Sequence, residues 1–213
     1  MQVATYDATR GAEALDSYPE AAAQWAGAHR LVVTKQDAVD PARRRAAAAE
    51  AGRINPLAEI VADDDRARAV VAAFAPPRSG AVPLGEIEPG PDGDHSGIRT
   101  VLVRPEGPIA ADDLTVWLDN LAGLLGDRLL RLKGVVRVAD DPAPLLVQSV
   151  GTLFAPPRPF RGPDAGNFLV VIARDLAPGE LDAVTPRLPV RFVHGGSPFG
   201  ATPRARSFAA ADV

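Results

Sequence analysis

The 213-residue sequence contains no cysteine, which removes disulfides, thiolate nucleophiles and cysteine-ligated zinc together. Histidine is nearly as scarce: His29, His95 and His194 stand far apart, so a histidine-built metal site is not expected. No apolar run approaches the roughly 20 residues needed to cross a bilayer. The opening MQVATYDATRG has neither the basic start nor the apolar core of a signal peptide. Positive charge is not in excess either, since 23 basic and 27 acidic residues leave a formal net charge of −4. Nucleic acid and membrane surfaces are therefore not expected partners. The chain reads as cytoplasmic.

What is present is an ordinary globular composition, 46% hydrophobic and 23% charged. The length suits one large domain or two small ones. The 21 prolines and 19 glycines concentrate in connecting stretches. Strands are expected at 3–6, 31–33 and 58–62, and helices at 19–28, 40–52 and 64–74. Pro19 and Pro41 suit first helical turns, Asp40 is a good N-cap, and Gly52 suits a helix stop. Asp63-Asp64-Asp65 fits a helix N-terminus, and Arg43-Arg44-Arg45 fits a solvated helix face. This alternation predicts part of a parallel sheet with covering helices.

Residues 76–97, PPRSGAVPLGEIEPGPDGDHSG, lose all periodicity and read as a linker between domains at 1–75 and 98–190. In the second domain IRTVLVRP alternates like a half-buried strand. Leu114, Trp117, Leu118, Leu121 and Leu125 form one stripe of a helix, where Trp117 belongs to the core. LLRLKGVVRVAD and PLLVQSVGTLF read as a hairpin about Asp140-Asp141-Pro142, followed by the strand FLVVIARD and a short helix in APGELDAVTPRL. The order β-α-β-β-β-α predicts a smaller α+β domain that folds alone. The first domain is expected to behave worse alone, because its sheet is incomplete. Residues 191–213 read as a flexible tail. Arg131 and Lys133 share one face of their strand and could meet an acidic partner; the plain alternative is ordinary outward-facing charge. Ser149 and Ser197 have no histidine and acid partners by motif, so no hydrolase triad is supported.

The chemistry concentrates at RLVVTKQDAVDP, where Leu31-Val32-Val33 gives way at once to Thr34-Lys35-Gln36-Asp37. A carboxylate at Asp37 can accept two hydrogen bonds from guanine's ring N–H and exocyclic amine, a pair that adenine does not present. The aliphatic stem of Lys35 can cover one face of the base. The same residues also suit the end of a strand and the start of a loop. A working site of this type further needs a glycine-rich loop ending in Gly-Lys-Ser/Thr. No such loop occurs in these 213 residues, and no clear acidic ligand for Mg²⁺ is apparent.

Taken with its flanks, this stretch resembles the later part of the GTPase domain of CobW-type proteins, a family of GTP-dependent metallochaperones. The resemblance rests on Asp7, Leu15-Asp16, Pro19-Glu20, Gln24, Thr34-Lys35-Gln36-Asp37 and the later RINPLAEIV. HSGIRTVLVRPEGPI, LLRLKGVV, LLVQSVGTLFAPP and FLVVIARDL resemble the family's C-terminal domain, and the similarity runs to about residue 186. It implies an α/β fold: a partial P-loop GTPase-like parallel sheet followed by a CobW C-terminal-type domain. It also implies GTP read by Thr34, Lys35 and Asp37, with Mg²⁺ and a zinc or cobalt cargo. The expected partners are a client metalloprotein or a chain completing the GTPase sheet. In the family, the phosphate loop and a Cys-x-Cys-Cys metal motif precede the strand at which this chain begins. Asp92, Asp94 and His95 occupy the linker where the family often carries a histidine-rich run, and are the metal candidates here, a solvated linker being the alternative. The chain is therefore expected to bind or dock without turning over GTP by itself. The alternatives are a GTPase completed by a P-loop segment and a non-functional remnant.

Overall fold

Three short apolar runs become parallel strands. In the computed structural model, which describes residues 1–76, 97–139, 141–160 and 167–194, β1 (Val3–Asp7), β2 (Arg30–Thr34) and β3 (Glu59–Val61) pair in the order β1-β2-β3. Helices α1 (Gly11–Ser17), α2 (Pro19–Gly27), α3 (Pro41–Ile54) and α4 (Arg66–Phe74) connect and follow them. Asp40 caps α3 by accepting the Ala42 and Arg43 N–H groups, and Asp65 caps α4 in the same way, satisfying donors a helix start leaves open. The outer edge of β1 has no partner strand among the described residues. On α4, Val70, Val71 and Phe74 are exposed.

The second part is a seven-stranded sheet built on β4 (Ile98–Pro105), β5 (Leu129–Val136), β6 (Leu145–Val150) and β9 (Phe168–Arg174). Short edge strands β7 (Leu153–Phe154), β8 (Arg158–Pro159) and β10 (Val190–His194) extend it. Its path is β10-β4-β9-β5-β6-β7, with β8 also on β6 and every pairing antiparallel. Helix α5 (Ala111–Leu125) buries Leu114, Trp117, Leu118, Leu121 and Leu125 against one face, as its stripe predicts.

The other face is not free. Leu102, Leu130, Phe168, Val170 and Ile172 join a single core with Tyr6, Trp25, Leu31, Val33, Ala47 and Ala51, with α2 lying against β5 and α3 against β4. An independent second domain was expected, but removing the first part would expose this apolar face to water, at about 25 cal/mol per Å². The continuous apolar run of β9, FLVVIA, marks both faces as apolar. It does not say that one of them is covered by the opposite end of the chain.

Several boundaries differ from the sequence reading. Residues 11–17 form a helix, α1, that was not among the helices expected from the sequence. Its first residue must be glycine, since a Cβ on Gly11 would run into the buried Tyr6 ring. Helix α3 continues through Gly52 to Ile54 and ends at Asn55. Asn55 is completely buried. Its amide donates to the Trp25, Ala26 and Ala28 carbonyls while its own oxygen accepts the Leu57 N–H, so tertiary hydrogen bonding sets that boundary. The short helix expected near residue 180 is a single 3-10 turn, Glu180–Ala183. The stretch read as a tail begins instead with β10, which covers the edge of β4 and packs Val190 and Phe192 against the α5-side core.

Candidate functional site

The carboxyl ends of β1, β2 and β3 bring together Asp7, Thr34-Lys35-Gln36-Asp37 and Asp63, the place where a parallel sheet presents ligand-binding loops. Immediately after β2 the backbone of Lys35 turns left-handed, with φ 56° and ψ 32°, and a 3-10 turn follows at Gln36–Ala38. That turn separates the roles of four consecutive side chains. Thr34 points its hydroxyl inward and donates to the Tyr6 carbonyl at 3.3 Å. Lys35 reaches back to β1, its Nζ 2.7 Å from Asp7 Oδ2. Gln36 is buried and donates to the Val33 and Asp63 carbonyls, tying the ends of β2 and β3 together. Asp37 is 73% exposed and, among the described residues, pairs with Arg66 at 3.4 Å.

Burial works against ionisation of Asp7, but hydrogen bonds from Lys35 and from the Thr9 hydroxyl and N–H outweigh it and hold its carboxyl down to about 2. A folded pKa below the ordinary value contributes stability above about pH 4, and that contribution is lost as pH falls toward about 2. The acid limb of the thermal midpoint between those values should accordingly be flatter in Asp7→Asn than in the parent protein. Parallel acid limbs would show that the Lys35 contact adds nothing.

Beneath this edge lies a second polar group. The buried Tyr6 hydroxyl donates to Glu50 at 2.6 Å, and Arg43 donates to Glu50 at 2.6 Å and to the Ala8 carbonyl at 2.9 Å. Burial first, and then Glu50, push the Tyr6 phenol well above its ordinary range. The Tyr6 ring also sits 4.9 Å from the Trp25 ring at a 50° tilt. Arg43 is thus no part of a solvated helix face, and Arg44 donates to the Val39 carbonyl. An open depression of ≈ 520 Å³ beside the loop is lined by Gln36, Arg44, Arg45, Asp63 and Arg68 among others. Its charges are mixed, and Arg68 is already paired with Asp63.

Of the residues proposed from sequence, Thr34, Lys35 and Asp37 stand together, with only Lys35 and Asp37 facing outward. The metal candidates Asp92, Asp94 and His95 lie outside the described residues, as does Ser197. Among the described residues there is no group of three or more His, Cys, Asp or Glu side chains able to hold a metal ion. No helix among them is long and apolar enough to cross a membrane. The Ser149 hydroxyl is buried without a hydrogen-bond partner among the described residues. Sequence reasoning missed Gln36, Asn55 and Arg131. Arg131 was read as an outward charge on β5, but it is 4% exposed and donates to the Ala26, Gly27 and Ala28 carbonyls at the end of α2. Nothing local marks it, because its acceptors lie more than a hundred positions away in sequence.

Residues 98–184 match the family model of the cobalamin synthesis protein cobW C-terminal domain. No curated protein matches the sequence. Among solved structures, the Zn(II)-bound YjiA GTPase from E. coli is similar at a TM-score of 0.62 and 22% identity. A Zn(II)-bound triple mutant of YjiA GTPase is similar at 0.64 and 23%. In both cases the similarity covers 87% of this chain and 60% of the other, so the chain spans less than two thirds of their length. At such identity the likeness establishes the fold alone, a three-stranded parallel sheet joined to an antiparallel one. The family match covers residues 98–184, less than half of the chain, and over the remainder what is shared with the YjiA structures is the fold alone.

Proposed function

We propose that the chain is the guanine-reading and docking portion of a GTP-dependent metal chaperone, acting in the cytoplasm on a client metalloprotein and not turning over GTP by itself. The observation that carries this reading is the presentation of Lys35 and Asp37 at the end of β2. The ammonium of Lys35 is pinned to Asp7, which leaves its stem spanning the ends of two strands. The Asp37 carboxylate is exposed enough to accept both donors of a guanine edge. The base fits these residues. The phosphates do not, because no Gly-Lys-Ser/Thr loop is present in the sequence. Metal enters the proposal as cargo, in keeping with the Zn(II)-bound state of the similar structures.

A second reading rests on the open edge of β1. A strand carrying a phosphate loop would pair there, beside Asp7, and the completed sheet would be a GTPase. Purified chain incubated with GTP and Mg²⁺ should release no phosphate above background. Mg²⁺-dependent turnover that disappears in Asp37→Ala would overturn the first reading in favour of the second. For the base itself, Asp37→Asn should lower guanine-nucleotide affinity by about tenfold, the loss of charge-assisted hydrogen bonds, and shift preference toward xanthine. A fluorescent-nucleotide titration that leaves the preference unchanged would remove Asp37 from the site.

A further inference from the structure

With Arg131 committed to α2, Lys133 is the remaining cation of the LLRLKG strand, and its surroundings are unusual for this chain. The register of the antiparallel ladder sets Arg131 opposite Val150, Lys133 opposite Gln148, Leu146 opposite Arg158, and Val150 opposite Leu153. Directly opposed residues share a face, and alternation along β6 carries Leu146, Gln148 and Val150 to that same face. It is the face from which Arg131 reaches α2. Beyond the reach of that helix the face therefore displays Lys133, Gln148 and Arg158 beside Val150, 59% exposed, and Leu153, 81% exposed.

Acidic partners are missing here. Several basic side chains elsewhere do have them: Arg30 pairs with Glu59, Arg43 with Glu50, Arg68 with Asp63, and Arg128 with Glu180. Neither Lys133 nor Arg158 has a hydrogen bond or ion pair among the described residues. Burial, then Arg131 and Arg158, push the Lys133 ammonium below its ordinary range, and no carboxylate acts against them. The imidazole of His29 is likewise lowered by burial, then by Arg131 and Lys133. A half-buried ammonium among other cations is costly alone and becomes favourable once a carboxylate arrives.

We propose that this face of β5, β6, β7 and β8, beside α2, is a docking surface for an acidic segment of a partner protein. Its carboxylates meet Lys133 and Arg158 while its apolar side chains cover Val150 and Leu153. The chain as a whole carries a net charge of −4, so a long polyanion meets repulsion outside the patch, whereas a short acidic segment does not. The exposed apolar face of α4 differs in this respect: Arg66 and Arg68 beside it are already paired with Asp37 and Asp63, and no charge there selects an occupant. The proposal does not depend on the guanine site.

The test is fluorescence anisotropy with the full chain and a labelled synthetic peptide of Asp and Glu residues interrupted by Leu and Phe. Binding should saturate and weaken with salt. It should fall about tenfold in Lys133→Gln and severalfold in Arg158→Gln, the range for unpairing an interfacial charge. Leu153→Ser should weaken it too, and Val71→Ser on α4 should not. Arg158 and Leu153 are surface residues, so their variants keep the test decisive if Lys133→Gln misfolds. The proposal falls if the peptide does not bind, or if Arg158→Gln and Leu153→Ser bind it as well as the parent. It falls equally if a single-stranded oligonucleotide of the same charge binds as tightly with the same sensitivities. Sedimentation showing a dimer that Leu153→Ser dissociates, without peptide binding, would assign the face to a second copy of this chain instead.

Discussion

Arg131→Met should cost about 2–4 kcal/mol of stability, the range expected when buried polar groups lose charged hydrogen-bond partners, and should loosen the two parts of the chain from one another. The guanidinium of Arg131 donates to three successive carbonyls, those of Ala26, Gly27 and Ala28, at the end of α2. A helix end leaves such carbonyls without intrahelical partners, and their dipoles favour a cation there. Asn55 also serves Ala26 and Ala28, but Arg131 alone serves Gly27. Burial pushes the guanidinium below its ordinary range, but an arginine remains charged at neutral pH. Methionine fills most of the volume and leaves the Gly27 carbonyl unpaired. Each part carries one buried tryptophan, Trp25 in the first and Trp117 in the second. Urea unfolding followed by Trp25 emission in a Trp117→Phe background should therefore move to lower denaturant in Arg131→Met and separate from the backbone transition. Coincident transitions at the parent midpoint would show that the junction draws its stability from apolar packing alone.

Gly134→Ala should be comparably damaging, at about 3 kcal/mol, the upper range for overpacking a core. Gly134 lies within β5 between β6 and β9, opposite Val147 and Leu169. A Cβ there would be driven into the Phe168 carbonyl oxygen and stand 2.6 Å from the Leu169 Cα. Both are backbone atoms of a neighbouring central strand, so no rotamer change relieves the contact. Either β9 moves away from β5 or the ladder opens, and both cores lose packing because β9 contributes to each. Gly52→Ala is the matched control. The nearest atom to a new Cβ there is Ile60 Cγ1 at 3.9 Å, and alanine is the better helix former, so that variant should unfold at or above the parent temperature. If Gly134→Ala melts with the parent, the close approach of β5 and β9 is not a constraint on the fold.

Local pattern determined a good deal about this protein. The alternation of strand and helix up to residue 74, the five-residue apolar stripe of α5, and the caps at Asp40 and Asp65 are written in neighbouring residues, because each depends on contacts within a turn or two of chain. The Thr34-Lys35-Gln36-Asp37 cluster was legible for a similar reason: an apolar run that stops in polar residues marks the end of a buried strand. What each of those four side chains does was decided by neighbouring strands. Thr34 turns to the Tyr6 carbonyl and Gln36 to Asp63. Lys35 is held by Asp7 and Asp37 is left open. The same holds for the stop of α3 at Asn55, for β10 on the edge of β4, and for Arg131. A buried asparagine or arginine is compatible with its position only when acceptors arrive from elsewhere in the chain. For Asn55 they come from the end of α2, 27 to 30 positions away, and for Arg131 they arrive when α2 is laid across β5, more than a hundred residues along the chain; composition and periodicity carry no record of either contact.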